Sequence, residues 1–148
     1  MLETWSEKTW LGCYVVLSCV LAMALAQLNW FDYRKLSLHG VTTTGHVRRT
    51  TCSSHQTFLF GFLVRGRKIS GSGGSGYGNS ECAALKPGDA VSVTYLPEDP
   101  GRNLTGDVSD RLMNETVSIG AAALAMPALV VLRLRHGARA KNGKRRAA

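Results

Sequence analysis

The sequence predicts an α+β membrane protein in which two transmembrane helices flank a small antiparallel β-barrel or β-sandwich domain. Three observations lead to this fold class: two long uncharged apolar runs, a middle segment of short alternating strands, and a net charge of +8 that is concentrated near the C-terminus. A chain of 148 residues has room for one small domain once two membrane spans are subtracted.

The first uncharged run extends from Thr9 to Phe31. It predicts a transmembrane helix over residues 10–31, after a short cytoplasmic N-terminus at residues 1–9, because about 20 apolar helical residues cross a bilayer core. Tryptophans near both ends suit the headgroup level. One alternative stays open: the stretch from Ala24 to Ala26 has the small-x-small form of a signal-peptidase site, and cleavage after Ala26 would leave a single span.

The second uncharged run predicts transmembrane helix 2 over residues 116–132, followed by a basic cytoplasmic tail over residues 133–148. Lys and Arg next to a span are retained on the cytoplasmic side. We therefore expect a two-pass protein of the cell inner or plasma membrane, with both termini cytoplasmic and the central domain extracytoplasmic. The residues that orient it are Arg133, Arg135, Arg139, Lys141, Lys144, Arg145 and Arg146.

Small residues recur on one face of each predicted span and predict that the two helices pack as a hairpin, since small side chains let helix backbones approach closely. On the first helix they are Ser18, Ala22 and Ala26, and on the second they are Gly120, Ala121 and Ala125. The alternative interpretation is that Ala and Gly are simply common in such spans.

The segment between the spans, residues 32–115, predicts an extracytoplasmic β-rich domain of four or five short strands. Residues 41–51 are rich in β-branched types, and residues 58–64 alternate, with the phenylalanines on one face. The stretch Arg65-Gly66-Arg67 predicts a tight hairpin connection to a return strand. The glycine-rich stretch from Ser70 to Ser80 predicts a flexible loop.

A turn followed by a further alternating strand completes the predicted domain. Pro and Gly favour the turn, Asp89 can accept hydrogen bonds from nearby amides, and Val91 begins an apolar face. We expect structural roles for all members of this motif, which are Pro87, Gly88, Asp89, Val91, Val93, Tyr95, Pro97 and Pro100.

These motifs together resemble a known family. The order is Gly45-x-Val47, then an aromatic strand ending in a hairpin glycine at Gly66, then GD-x-V-x-V-x-Y-x-P-x-x-P, all between two spans. The chain in this respect resembles the bacterial two-span membrane proteins catalogued as domain of unknown function 3592, over most of its length. The resemblance implies the same topology and an exported β domain, but no established activity or catalytic residues. Leu96 stands where that family often has an acidic residue.

The four cysteines divide into two pairs by location. Cys13 and Cys19 lie in the first predicted span, where a thiol acts as a small apolar filler. Cys52 and Cys82 lie in the exported segment, and an oxidising compartment allows them to form a disulfide. Closing a loop of roughly 30 residues contributes about 3 kcal/mol in the chain-entropy model.

Two features suggest ligand binding but lack the required context. Cys52, His55 and Cys82, with His46, could offer four zinc ligands, yet a second closely spaced pair is missing. The stretch Gly71-x-Gly73-x-x-Gly76 matches a dinucleotide fingerprint by letter, but no helix follows it to receive a pyrophosphate. The sequence therefore assigns no metal site, no cofactor and no catalytic residues, and we expect a protein that is not an enzyme.

The function predicted from these observations is that of a protein-interaction or accessory module of the cell envelope. Its expected partners are the lipid bilayer and another membrane or envelope protein, or a second copy of itself. Because most of the excess positive charge lies in the tail, it orients the protein and does not indicate nucleic-acid binding. No small-molecule substrate is identified. The alternative is a membrane-tethered extracytoplasmic domain that binds a small ligand or a metal.

Overall fold

A computed structural model of the chain describes residues 6–53 and 55–146, with side chains described up to residue 137. The fold is α+β. Its apolar helices are the N-terminal and C-terminal elements of the chain, and they do not flank a barrel as the sequence predicts. It divides into two compact units. We call Met1–Leu28 with Thr116–Ala148 the helical unit and Asn29–Glu115 the β unit.

The helical unit is an antiparallel pair formed by α1 (Glu7–Ala26) and the later part of α3 (Val108–Arg146). The Tyr14 hydroxyl donates a hydrogen bond to the Leu124 carbonyl (3.3 Å). Glu7 and Arg135 form an ion pair at one end of the pair. Glu7–Ala26 and the stretch Val108–Gly137 are long and apolar enough to cross a membrane, by length and composition alone.

The first uncharged run does not form a single helix. α1 ends at Ala26, residues 27–29 form a turn, and α2 (Trp30–His39) begins a new helix. Asn29 has φ −140°, outside the helical region, and asparagine is a poorer helix former than alanine or leucine. The helix predicted over residues 10–31 is therefore interrupted at residues 27–29.

The packing face of the later helix also differs from the prediction. Within residues 116–137 of α3 the buried residues are Ala123, Pro127 and Val131, which are spaced four residues apart. Gly120, Ala121 and Ala125, the predicted face, are exposed. Pro127 lies inside the helix, where it cannot donate a hydrogen bond to the preceding turn, and its ring is buried on this same face. On α1 the predicted face is closer to the structure, because Ser18, Ala22 and Ala26 are half-buried.

The β unit contains one antiparallel five-stranded sheet, and every pairing in it is antiparallel. The sheet order is β3-β2-β1-β4-β5. The strands are β1 (Val41–Thr51), β2 (Thr57–Val64), β3 (Arg67–Gly74), β4 (Ala90–Tyr95) and β5 (Asn103–Thr105). Arg65 and Gly66, both with positive φ, form the two-residue turn of the predicted β2–β3 hairpin.

The core lies on one face of this sheet. Phe58, Phe60 and Phe62 point inward from β2 and are 0–4% exposed, as the alternation in the sequence predicts. The remaining buried members are Val64, at the end of β2, with Val47 from β1 and Val91 and Val93 from β4. A smaller cluster of Leu36, Leu96 and Val108 packs α2 and the start of α3 onto the segment that follows β4.

The glycine-rich stretch is the largest difference from the predicted domain. The sequence predicts a flexible loop from Ser70 to Ser80, but β3 continues to Gly74. A side chain at Gly71 or Gly73 would overlap the rings of Phe60 and Phe58, respectively. The glycines are therefore packing positions in a strand that lies close against large aromatic rings, rather than linker residues.

The sheet curls into a half-barrel, and its two edge strands approach each other. A Cβ at Gly71 would overlap Asn103 Oδ1, and a Cβ at Gly73 would overlap Thr105 Oγ1. In the part of the chain that the structure describes, however, no backbone pairing joins β3 to β5. The β unit is thus a single curled sheet, neither a closed barrel nor the two packed sheets of a sandwich.

Candidate functional site

Cys52 and Cys82 form a disulfide, as predicted, with their Cα atoms 5.5 Å apart. Cys82 is fully buried in a short 3-10 helix (Cys82–Ala84), and its N–H donates to Ser75 Oγ (2.8 Å). The bond ties this helix to the turn that follows β1. Because both sulfur atoms are bonded to each other, neither is available as a metal-binding thiolate. The described residues contain no cluster of three or more potential metal ligands.

The predicted turn and strand motif occupies structural positions. The Lys86 N–H donates to Asp89 Oδ2 (2.7 Å), and Gly88 has φ +98°, which favours glycine. This turn is hydrogen-bonded to β1, because Gly88 N–H donates to the Val47 carbonyl (2.8 Å). The rest of the motif lines the core or ends β4: Val91 and Val93 are buried, the Tyr95 ring centroid lies 5.4 Å from that of Phe62, and Pro97 and Pro100 lie in the following turn.

The residues predicted to orient the protein are only partly described. Arg133 is exposed, while Arg135 is half-buried and paired with Glu7. The side chains of Arg139, Lys141, Lys144, Arg145 and Arg146 lie outside the described residues. A cavity of about 520 Å³ lies beside the Glu7–Arg135 pair and is lined mainly by apolar atoms of both helices, including Trp10 and Val131.

A second cavity, of about 340 Å³, lies beside β1, β2 and β3 and is lined by residues that include Gly61, Phe62 and Leu63 of β2. We call it the outer groove; its lining includes Thr44, His46, Arg48, Gly61, Leu63 and Lys68. A β-bulge between Val47 and Arg49 places Arg48 out of register with β2. The Arg48 guanidinium lies directly over Gly61, where a Cβ would come within 2.8 Å of its Cζ.

The strands that form the outer groove carry charge of one sign. Residues 41–80 contain no Asp or Glu and five cations, which are Arg48, Arg49, Arg65, Arg67 and Lys68. None of the five forms an ion pair with any of the side chains described. Residues 81–115 have the opposite balance, with seven acidic and three basic residues. The β unit is therefore electrically polarised along its sequence.

Several acids of residues 81–115 already have local partners. Asp99 pairs with Arg102 (3.3 Å), and Asp107 caps α3 by accepting from the Ser109 N–H (2.7 Å). These contacts hold the acids at their own turns. The cations of the outer groove have no such compensation among the described side chains, and this makes the groove the strongest candidate for binding an external group.

Sequence reasoning missed this groove. The signal that could have found it is the forty-residue stretch without an acidic residue, which is hidden when charge is counted over the whole domain. The bulge and the position of Arg48 over Gly61 have no local signature, because they depend on how β1 pairs with β2.

No family model matches the chain, and comparisons with curated proteins and with solved structures give no match. The resemblance to domain of unknown function 3592 therefore rests on the motif residues alone and stays a prediction.

Proposed function

We propose that the chain is a two-pass membrane protein that presents its β unit outside the cytoplasm as a protein-interaction or accessory module of the cell envelope. The observation that carries this proposal is the exposure of large apolar side chains around the helical unit. Leu11 is 63% exposed, Val20 62% and Leu124 60%. Apolar surface of this extent is unfavourable in water and is normal where a helix faces lipid.

The disulfide supports an extracytoplasmic β unit. Disulfides persist in oxidising compartments and are rare in the cytosol, where thiols are kept reduced. The basic residues after the second apolar stretch support the same orientation, because they favour a cytoplasmic C-terminus. An even number of spans then places the N-terminus on the same side as the tail.

A binding role fits the β unit better than catalysis. Its unusual feature is a groove with uncompensated positive charge, and general acid–base catalysis would need a titratable group positioned beside a nucleophile or a substrate site. The family resemblance, which implies an exported β domain between two spans, agrees with this role. The alternative is a small anionic ligand in the same groove. A metal site built on Cys52 and Cys82 is not supported, since their sulfurs are bonded together.

The topology is tested with reporter fusions in a bacterial host. Alkaline phosphatase, which is active only outside the cytoplasm, is inserted after Ser80, and a green fluorescent protein is fused after Ala148. We expect both reporters to be active and the chain to stay in the membrane fraction after alkaline washing. Sequencing of the mature N-terminus tests cleavage after Ala26. An inactive phosphatase, or a chain released by the wash, would contradict the proposal.

The interaction role is tested on the same full-length chain. A photo-crosslinking amino acid placed at Leu63, in the outer groove, should give a discrete cross-linked band in membranes, whereas the same probe at Glu98, an exposed position outside the groove, should not. A monomeric mass in mild detergent, together with the absence of any specific cross-link, would count against an interaction module.

A further inference from the structure

We propose that the outer groove is the docking site for an acidic segment of a partner protein, with Arg48 binding a side-chain carboxylate of that segment. This inference rests on the proposed function, because it names the chemistry of the partner. The Arg48 guanidinium lies over the backbone of Gly61, on the sheet face away from the core.

Two features of the fold combine to produce that contact. The bulge at Arg48 adds a residue to β1, and bulges of this kind redirect side chains and are common next to functional sites. Gly61 interrupts an otherwise apolar strand and removes the side chain that would lift the guanidinium off the sheet. Glycine in a strand weakens it, and close approach of another group is a frequent reason for its presence.

Arg48 is also available to an external acid. Its side chain forms no hydrogen bond and no ion pair with residues 6–53 and 55–137. A guanidinium presents its N–H groups in a planar fork that matches a carboxylate in a bidentate manner. Lys68 lines the same groove and contributes a further positive charge.

The positive charge of the outer groove argues against its binding the same groove of a second copy of the chain. In a two-fold symmetric dimer the same patch meets itself, and Arg48 and Lys68 of the groove would then face the same two cations of the other copy without an anion between them. An acidic partner instead gives complementary charge, which favours association and fixes its orientation.

The apolar neighbours of Arg48 favour a peptide over a free anion or a lipid headgroup. Leu59 and Leu63 stand on either side of Gly61 along β2 and are 47% and 62% exposed. Alternate residues of an extended chain are about 7 Å apart. A peptide that runs along β2 with the pattern apolar-x-Glu-x-apolar therefore places its apolar side chains over the two leucines and its carboxylate over Arg48.

The test uses the purified full-length chain in zwitterionic detergent and a fluorescein-labelled peptide, Gly-Glu-Leu-Ser-Glu-Ser-Leu-Glu-Gly. A matched peptide with Gln in place of each Glu is the control. Fluorescence anisotropy should give at least tenfold tighter binding of the Glu peptide at low ionic strength, and raising the salt concentration should weaken that binding.

Three variants locate the site. Arg48→Gln should lower the affinity for the Glu peptide about tenfold. Gly61→Ala should lower it severalfold while the protein stays folded, because the atoms that a new Cβ would meet belong to the flexible end of Arg48. Lys35→Gln, which removes an exposed cation from α2, should change the affinity less than twofold. Thermal unfolding of each variant verifies the fold.

Several results would overturn the proposal. Equal binding of the Glu and Gln peptides would do so, as would equal losses in Arg48→Gln and Lys35→Gln. Displacement of the peptide by inorganic phosphate, at a concentration where sodium chloride of the same ionic strength leaves the peptide bound, would identify a small-anion site. Displacement by dihexanoylphosphatidylglycerol but not by dihexanoylphosphatidylcholine would identify a headgroup site, and self-association abolished by Arg48→Gln would identify a second copy as the occupant. Peptide binding is measured on the isolated chain, so its failure is distinguishable from a failed topology in the reporter fusions.

Discussion

The side-chain amide of Asn79 donates a hydrogen bond to the hydroxyl of Thr105 (3.1 Å). The same nitrogen donates to the carbonyl of Gly74 (3.0 Å), so one side chain connects the end of β3 to β5. Thr105 is fully buried. Since no backbone pairing joins these edge strands in the described chain, the amide of Asn79 takes the place of a backbone ladder at this end of the half-barrel.

Replacing Asn79 with Ala should therefore destabilise the β unit. The change removes the donor to both strands and leaves the Thr105 hydroxyl buried without this partner, which costs about 1–3 kcal/mol. Urea unfolding followed by near-ultraviolet circular dichroism measures the loss. Asn114→Ala, at an exposed position on α3, is the control and should change the free energy of unfolding by less than about 0.5 kcal/mol. Equal effects of the two changes would refute the bridging role.

Gly73→Ala should also destabilise the β unit, for a steric reason. A Cβ at Gly73 would overlap the Phe58 ring and the Thr105 hydroxyl, and overpacking of this kind costs about 1–3 kcal/mol. Gly74→Ala is the matched control, because a Cβ at Gly74 meets no atom within 4 Å. We expect Gly74→Ala to leave the melting temperature unchanged or slightly raised. A melting temperature unaffected by Gly73→Ala would mean that β3 is a mobile loop, as its composition suggests.

The β2–β3 hairpin shows which parts of the fold could be predicted from the sequence and which could not. The alternation of Phe58, Phe60 and Phe62 and the Arg65-Gly66 turn are local signals, so the β2–β3 hairpin could be predicted from them. The continuation of β3 to Gly74 could not, because glycine and serine runs usually form flexible linkers. Glycine is needed at position 73 partly because Thr105, which is distant in the sequence, occupies the space that a side chain would fill.

Of the two features of the candidate site, the sequence predicts the disulfide but not the outer groove. The Cys52–Cys82 bond could be predicted because it follows from cysteine location and compartment. The outer groove could not be predicted, because it forms where a bulge in β1 places Arg48 over a glycine in β2. Strand register and bulges are set by pairing across the sheet, for which a single strand gives little information.

Thiol counting and reduction test the disulfide. Of the four cysteines, Cys13 and Cys19 are free, so the unreduced denatured chain should bind two maleimide groups, and the reduced chain should bind four. The double change of Cys52 and Cys82 to Ser should lower the free energy of unfolding of the β unit by about 3 kcal/mol, because the unfolded chain is then less constrained. Mass spectrometry and urea unfolding measure the two outcomes. Four reactive thiols before reduction would exclude the bond and weaken the case for an oxidising compartment.

The helical unit offers a comparison of two faces of one helix. Ala123 is 5% exposed, whereas Ala125 is exposed although both are small and lie in the same apolar stretch. Ala123→Leu should push the later part of α3 away from α1 and destabilise the unit by about 1–3 kcal/mol, since a well-packed contact has no room for the added atoms. Ala125→Leu adds the same side chain to an exposed face and should have little effect. Thermal unfolding in detergent, followed by tryptophan fluorescence, distinguishes them. A larger loss for Ala125→Leu would restore the packing face predicted from the small residues Gly120, Ala121 and Ala125, and would reject the one centred on Pro127.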